Sequence, residues 1–300
     1  MATTLDRRAF LKTTSAAALS VGFGGARLLA RGPRTASDKV TLGKSGITLS
    51  RLGIGTGSNN GQVQRDMGQA AFTDMVHAAY ERGITYIDTA HNYQTHGMVK
   101  EAIKGLPREK FYIQTKMPWD RAPFTENPLK ELDRFRSELG VEYIDSVLIH
   151  CATNHTWPTD LRFMQDAFSD AQSRGVIKIK GVSCHGLPAL TAATTNDWID
   201  VHLARVNAQA RHMDGAAGVF GEAGDRPAAM KELEAMHARG HGIIGMKLVG
   251  NGDFKDAADR DKAMQFVLGC GCVDAVVVGM NSIAQLDETI GRMNRILAAA

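Results

Sequence analysis

The sequence predicts an α/β fold of the (β/α)8 TIM-barrel type, preceded by an N-terminal β-hairpin, on three observations. Short β-branched apolar runs alternate with helical patterns from Lys39 onward. That alternation supplies eight strand candidates with no sign of a second domain. A length of 300 residues suits a barrel, which typically needs ~250. Strands separated by helices argue for a parallel sheet covered by helices. Eight of them in one rhythm favour closure over an open doubly wound sheet, the alternative that the pattern leaves standing.

Residues 1–36 read as an address rather than as fold. The run Arg7-Arg8-Ala9-Phe10-Leu11-Lys12, followed by a small-residue, mildly apolar stretch to about Ala30, resembles a twin-arginine export signal. The resemblance implies an exported or periplasmic protein, with the twin-arginine translocation machinery as a partner. No clean A-x-A site precedes Ser37, so the cleavage point stays open. Residues 37–300 form the expected barrel. No other segment reaches the ~18 apolar residues that a spanning helix needs.

From residue 40 to 52, with a turn at Lys44-Ser45-Gly46, the chain reads as a hairpin ahead of the first barrel strand. The strands are expected at 52–56, 85–88, 111–116, 144–150, 177–183, 201–206, 242–247 and 275–278. Helices are expected at 68–82, 129–139, 161–174, 228–239, 260–268 and 283–297. Gly83, Gly140, Gly175 and Gly240 follow four of these helices as left-handed caps.

Composition narrows the function. At 44% hydrophobic and 22% charged residues, the chain is globular rather than disordered. The net charge of +3 is concentrated in residues 1–36, so the barrel segment is no polyanion binder. With aromatics at 6%, base stacking on nucleic acid is not expected. Cys151, Cys184, Cys270 and Cys272 lack C-x-x-C spacing, and Cys270-Gly-Cys272 alone is a weak metal or redox signal. The histidines show no standard metal spacing. Gly53-Ile54-Gly55-Thr56-Gly57 lacks the third glycine of a dinucleotide fingerprint, so a Rossmann site is not supported.

Four polar residues stand at or just beyond successive strand ends: Asp88, Tyr93, Lys116 and His150. In a parallel barrel these ends share one face, where catalysis is assembled. An isolated Asp or His there usually serves structure, but an ordered series of four does not read that way. A phenol is a poor acid near neutrality until a neighbouring ammonium favours its phenolate. Lys116 is expected to do this, with Asp88 keeping the lysine charged and His150 donating to a substrate carbonyl.

The stretch from Gly83 to Tyr93, Gln114-Thr115-Lys116, and Asp145 to His150 resemble the three signature blocks of the aldo-keto reductases. The hairpin and Gly181-Val182-Ser183 are similar as well, so the likeness covers residues 39–297. It implies Tyr93 as general acid/base, Lys116 and Asp88 as its tuners, and His150 as carbonyl orienter. It also implies NADP or NAD, bound across the barrel mouth by Gly55, Thr56, Asp88, Ser183, Lys247, Gly250, Gly279, Gln285 and Glu288. The segment from Gly279 to Glu288 is similar to the branch that includes the potassium-channel β subunits.

Departures from the pattern bear on the cofactor. Thr289 replaces the usual Asn, Met246 replaces the stacking aromatic, and the strand at 201–206 lacks its glutamine. No Lys-Ser…Arg clamp for a 2′-phosphate is evident, which weakens an NADP preference. Arg205 reads either as a substrate or phosphate ligand or as a core ion-pair partner. The activity implied is hydride transfer between nicotinamide and an aldehyde, ketone or sugar carbonyl, or the matching alcohol. The alternatives are a nicotinamide-binding regulatory module and a metal-dependent sugar isomerase or lyase on the same barrel.

Overall fold

The structure, a computed structural model, describes residues 34–299; the part of the export motif at residues 1–33 lies outside the described residues. A hairpin comes first: β1 (Lys39–Thr41) pairs antiparallel with β2 (Thr48–Ser50). Eight parallel strands then close into a barrel. They are β3 (Leu52–Gly55), β4 (Tyr86–Asp88), β5 (Tyr112–Met117), β6 (Ile144–Ala152), β7 (Ile177–Cys184), β8 (Val201–Arg205), β9 (Gly242–Met246) and β10 (Ala275–Gly279). β10 pairs with both β3 and β9, which closes the ring and removes the open sheet from consideration.

Each strand lies within two residues of its expected bounds because β-branched runs bounded by glycine leave little choice. The helices include α1 (Gln62–Glu81), α2 (His96–Ile103), α3 (Pro128–Leu139), α4 (Trp157–Asp160), α5 (Arg162–Ser173), α6 (Leu187–Thr194), α7 (Arg226–Ala238), α8 (Ala257–Gly269) and α9 (Ile283–Ala299). Three of them, α2, α4 and α6, are absent from the sequence reading; at four to eight residues they hold too few turns to show a period. α1 starts six residues earlier than expected, because Gly68 interrupts its apolar stripe with a non-helical conformation (φ 74°, ψ 162°).

Helix ends follow capping chemistry. The Asn127 side chain accepts from the Lys130 amide at α3, and Asp225 accepts from Ala228 at α7; proline follows at the first helical position of α3 (Pro128) and the second of α7 (Pro227). Gly140 closes α3 at φ 66°, donating its amide to the Arg136 and Ser137 carbonyls. Gly83, Gly175 and Gly240 also adopt positive φ, as the cap reading expects.

Side-chain alternation divides the core in two. Outward residues such as Ile54, Ile87, Ile113 and Val147 pack against Phe72, Leu132, Phe135 and Phe168 of the helices. Inward residues, among them Tyr86, Tyr112, Leu148, Ile179, Leu203 and Ile244, fill the barrel together with Leu42 and Leu49 of the hairpin. The hairpin plugs the end where the strands begin: the Lys44 amide donates to Gly240 O, just ahead of β9, and Ser50 Oγ accepts from the Thr85 and Tyr86 amides. Among the described residues, the hairpin leaves the other end, where the strands finish, open for chemistry. Ala36 is buried, and its amide donates to Asn294 Oδ1 on α9. Among the described residues, no helix is long and apolar enough to cross a membrane.

Candidate active site at the barrel mouth

Alternation along three neighbouring strands aims the candidate residues inward. Tyr86 and Asp88 share a face of β4, Tyr112, Gln114 and Lys116 a face of β5, and Ser146, Leu148 and His150 a face of β6, so the last member of each set reaches the mouth. Gly53 makes room beneath them, since a Cβ there would lie 2.1 Å from the Tyr86 ring.

Lys116 is 1% exposed. Its Nζ donates to both Asp88 oxygens, 2.8 Å each, and to Thr89 O at 2.8 Å. Gln114, which the sequence reading quoted but gave no role, holds the carboxylate from the other side. Its Nε2 donates to Asp88 Oδ1 (2.8 Å) and Tyr86 OH (3.0 Å), while its Oε1 accepts from Ser146 Oγ at 2.9 Å. The signal was available: Gln114 sits two residues before Lys116, and a buried amide must find partners.

Tyr93 follows β4 in a 3-10 turn over His91–Tyr93. Lys116 Nζ lies 4.8 Å from its ring centroid, and the His150 ring meets it edge-on at 5.7 Å. Gly57 is required here, because a Cβ would come within 2.5 Å of Tyr93 Cζ. The Tyr93 carbonyl is fixed by the Arg65 guanidinium.

The electrostatics differ from the sequence expectation. Burial, with Asp88 adding to it, pushes the Tyr93 phenol well above its ordinary range rather than toward phenolate. The physical reason is that burial disfavours the charged phenolate and the Asp88 carboxylate opposes it further, while the Lys116 ammonium is held by Asp88 and Thr89 O and does not outweigh them in the resting site. Burial also lowers Lys116, and Asp88 opposes that shift. His150 is driven down to about 3 by burial and by the Lys116 charge, so its imidazole is neutral, with Nδ1 buried and unpartnered. The mouth therefore offers a protonated phenol and a neutral imidazole side by side.

Two adjoining clefts run from this centre. One of about 360 Å³ is lined by Gly55, Gly57, Asp88, Tyr93, Met246, Lys247 and Gly279, among others. The next, about 350 Å³, shares Val249, Gly252, Lys255, Val278 and Gly279 with it and adds Arg260, Gln285, Glu288 and Arg292. Ser183, beside His150 in the β6–β7 register, is buried with an orphaned Oγ. A third cleft, about 290 Å³, holds His150, Cys151, Asn92, Trp119 and Phe220.

Three expected cofactor residues, Ser183, Thr56 and Gly250, line none of these clefts. Thr56 is fully buried with its hydroxyl bonded to Thr95 Oγ1 at 2.8 Å, and Gly250 sits where a Cβ would strike the Phe254 ring; neither lines a cleft. Gln285 spends its Oε1 on the Asn281 amide at 3.0 Å. Glu288 accepts from Arg260 (3.0 Å) and Arg292 (2.8 Å). Arg260 comes from α8, and Arg292 lies four residues after Glu288 on α9; the sequence analysis singled out neither. Arg205 resolves as the core ion-pair partner, 2.6 Å from the buried Asp214, whose carboxylate also accepts from the Gly186 amide. Among the described residues, no group of three or more His, Cys, Asp or Glu is placed to hold a metal ion.

A closed parallel barrel that gathers a protonated phenol, a neutral imidazole and a buried lysine–carboxylate pair at its strand ends, beside elongated clefts, has the site placement of the (β/α)8 barrel class. Residues 51–269 match the Aldo/keto reductase family, and the chain belongs to it. It is 27% identical over 167 residues to the NADH-specific methylglyoxal reductase of Escherichia coli, a match covering 48% of this chain and 51% of that protein. The chain thus spans about half the length of this curated relative. Its fold is that of solved aldo-keto reductase chains. One from Pseudomonas aeruginosa aligns with a TM-score of 0.70 at 20% identity, covering 88% of this chain and 97% of that one. Another, from Klebsiella pneumoniae in complex with NADPH, aligns at 0.62 and 17% identity, covering 87% and 89%.

Proposed function

We propose that this protein is an NAD(P)(H)-dependent oxidoreductase acting on an aldehyde, ketone or sugar carbonyl, or on the matching alcohol. The observation that carries the reading is the convergence of Tyr93, His150 and the Lys116–Asp88 pair on one mouth. The residues present also suit the cofactor: Gly55, Gly57 and Gly279 line the first cleft, and a Cβ on Gly279 would meet Ser58 Oγ at 2.0 Å. A bound nicotinamide supplies or accepts the hydride. The chain's own residues do the rest. Tyr93 OH gives its proton to the carbonyl oxygen in reduction and recovers it in oxidation. His150 orients that oxygen as a neutral hydrogen-bonding partner. Asp88 and Gln114 hold Lys116 against the phenol ring.

The second cleft governs the choice of dinucleotide. Glu288 already accepts from Arg260 and Arg292, and Asp261 takes a further ion pair from Arg292. A 2′-phosphate has to compete with these carboxylates, so preference for NADPH over NADH is expected to stay below ~100-fold. Glu288→Gln is expected to release the arginines and raise that ratio by ~10-fold or more, the effect of one charge-assisted bond. Tryptophan quenching with each dinucleotide measures both. Failure of both to bind would end the oxidoreductase reading, and a ratio unmoved by the variant would show that the arginines do not face the ribose.

We also propose export of the folded protein by the twin-arginine route, supported by the sequence from Arg7 to Lys12. Changing Arg7 and Arg8 together to Lys is expected to leave active protein in the cytoplasm. Continued export of the variant, seen by fractionation, would contradict the proposal.

A further inference from the structure

Two cysteines far from the mouth form a pair that the oxidoreductase reading does not use. α8 ends at Gly269, Cys270 caps it, and the chain turns through Gly271 and Cys272 before β10 begins at Ala275. The turn thus lies at the end of the barrel where the strands start. Cys272 Sγ is 3.6 Å from Cys270 Sγ. A single residue separates them, and it is glycine at φ 78°, with nothing within 4 Å of where its Cβ would be. A disulfide needs the sulfurs at about 2.05 Å. The open space at Gly271 leaves the turn between the two sulfurs room to adjust. Cys270 is half-buried and Cys272 is 3% exposed.

We propose that Cys270 and Cys272 are a dithiol–disulfide site, oxidised reversibly by low-molecular-weight disulfides. The two thiols divide the work by exposure. The more accessible Cys270 sulfur attacks one sulfur of the oxidant as thiolate, forming a mixed disulfide and expelling the first small thiol. Cys272, having lost its proton to water, then attacks the Cys270 sulfur and expels the second. Two protein thiols give up two electrons and two protons, and one small disulfide becomes two thiols. The hydrogen bond from Cys272, helped by backbone amides, holds the Cys270 thiol below its ordinary range, and the same contact raises Cys272. An attacking thiol that is readily ionised beside one that is not is the order this exchange requires. Cys151 and Cys184 lie on β6 and β7 and take no part.

The test is independent of catalysis. Reduced full-length protein is incubated with oxidised glutathione, blocked with iodoacetamide and digested with trypsin; peptide 263–292 contains Cys270 and Cys272 and no other cysteine. Its expected form is lighter by two hydrogens and carries no alkyl group, and prior dithiothreitol restores two alkylatable thiols. Cys272→Ser, which leaves the attacking sulfur without a resolving partner, is expected to retain one glutathione on Cys270. A wild-type peptide that is doubly alkylated, that keeps a glutathione adduct, or that is linked to a second chain would overturn the proposal.

Discussion

Tyr93→Phe is expected to lower turnover by at least ~100-fold, the smaller end of the range for a general acid, while dinucleotide affinity changes little. The substitution removes one oxygen and leaves the ring, and the ring is what Gly57, Lys116 and His150 contact. Packing should therefore survive. The pH behaviour gives a second readout. Because burial and Asp88 raise the phenol above its ordinary range, the proton is present throughout neutral and mildly alkaline conditions. Carbonyl reduction by the wild type should stay flat there and fall only as pH rises through the shifted phenol value. His150 adds no limb near neutrality, since it loses its charge near 3. Steady-state turnover with the best carbonyl from a panel of aldehydes, ketones and sugars checks the magnitude. Undiminished turnover in the variant would remove Tyr93 from the chemistry.

The fold was legible because barrel geometry is written locally. Strand runs, glycine caps at Gly83, Gly140, Gly175 and Gly240, and the turn at Lys44 each depend on neighbours within a few residues, and each emerged where expected. The mouth was legible for the same reason: strand ends of a parallel barrel fall on one face whatever the loops do. What stayed hidden depends on contacts between distant segments. Arg260 meets Glu288 only because α8 packs beside α9, whereas Arg292 is the i,i+4 neighbour of Glu288 on α9 and was open to a local reading. Asp214 sits in the irregular stretch after β8, where no period announces that it will close on Arg205. The phenol's shift runs opposite to the expectation because sequence order places Lys116 near Tyr93 but does not show how deeply the phenol is buried beside the Asp88 carboxylate.

Lys116→Met is expected to cost both stability and activity, and a double variant can separate the two. In the single variant the Asp88 carboxylate keeps the Gln114 amide at 2.8 Å but loses the ammonium that faces both its oxygens. A carboxylate left unpaired in so buried a place destabilises the fold by ~3–5 kcal/mol. Adding Asp88→Asn removes the charge, keeps an oxygen for Gln114, and presents an amide in place of the carboxylate. Replacing a buried pair with uncharged groups of similar volume is often near neutral, so the double variant should recover most of the lost stability. Turnover should not return with it. The phenol's hydride-coupled proton transfer leaves negative charge that only an adjacent cation stabilises, and a loss of at least ~100-fold is expected in both variants on the scale of one lost electrostatic stabiliser. Urea unfolding of the three proteins, set against their turnover, distinguishes the roles. A Lys116→Met protein as stable as wild type would mean that Asp88 is not a buried charge held by the lysine. A double variant that recovers turnover together with stability would make the pair structural and leave Tyr93 to act without it.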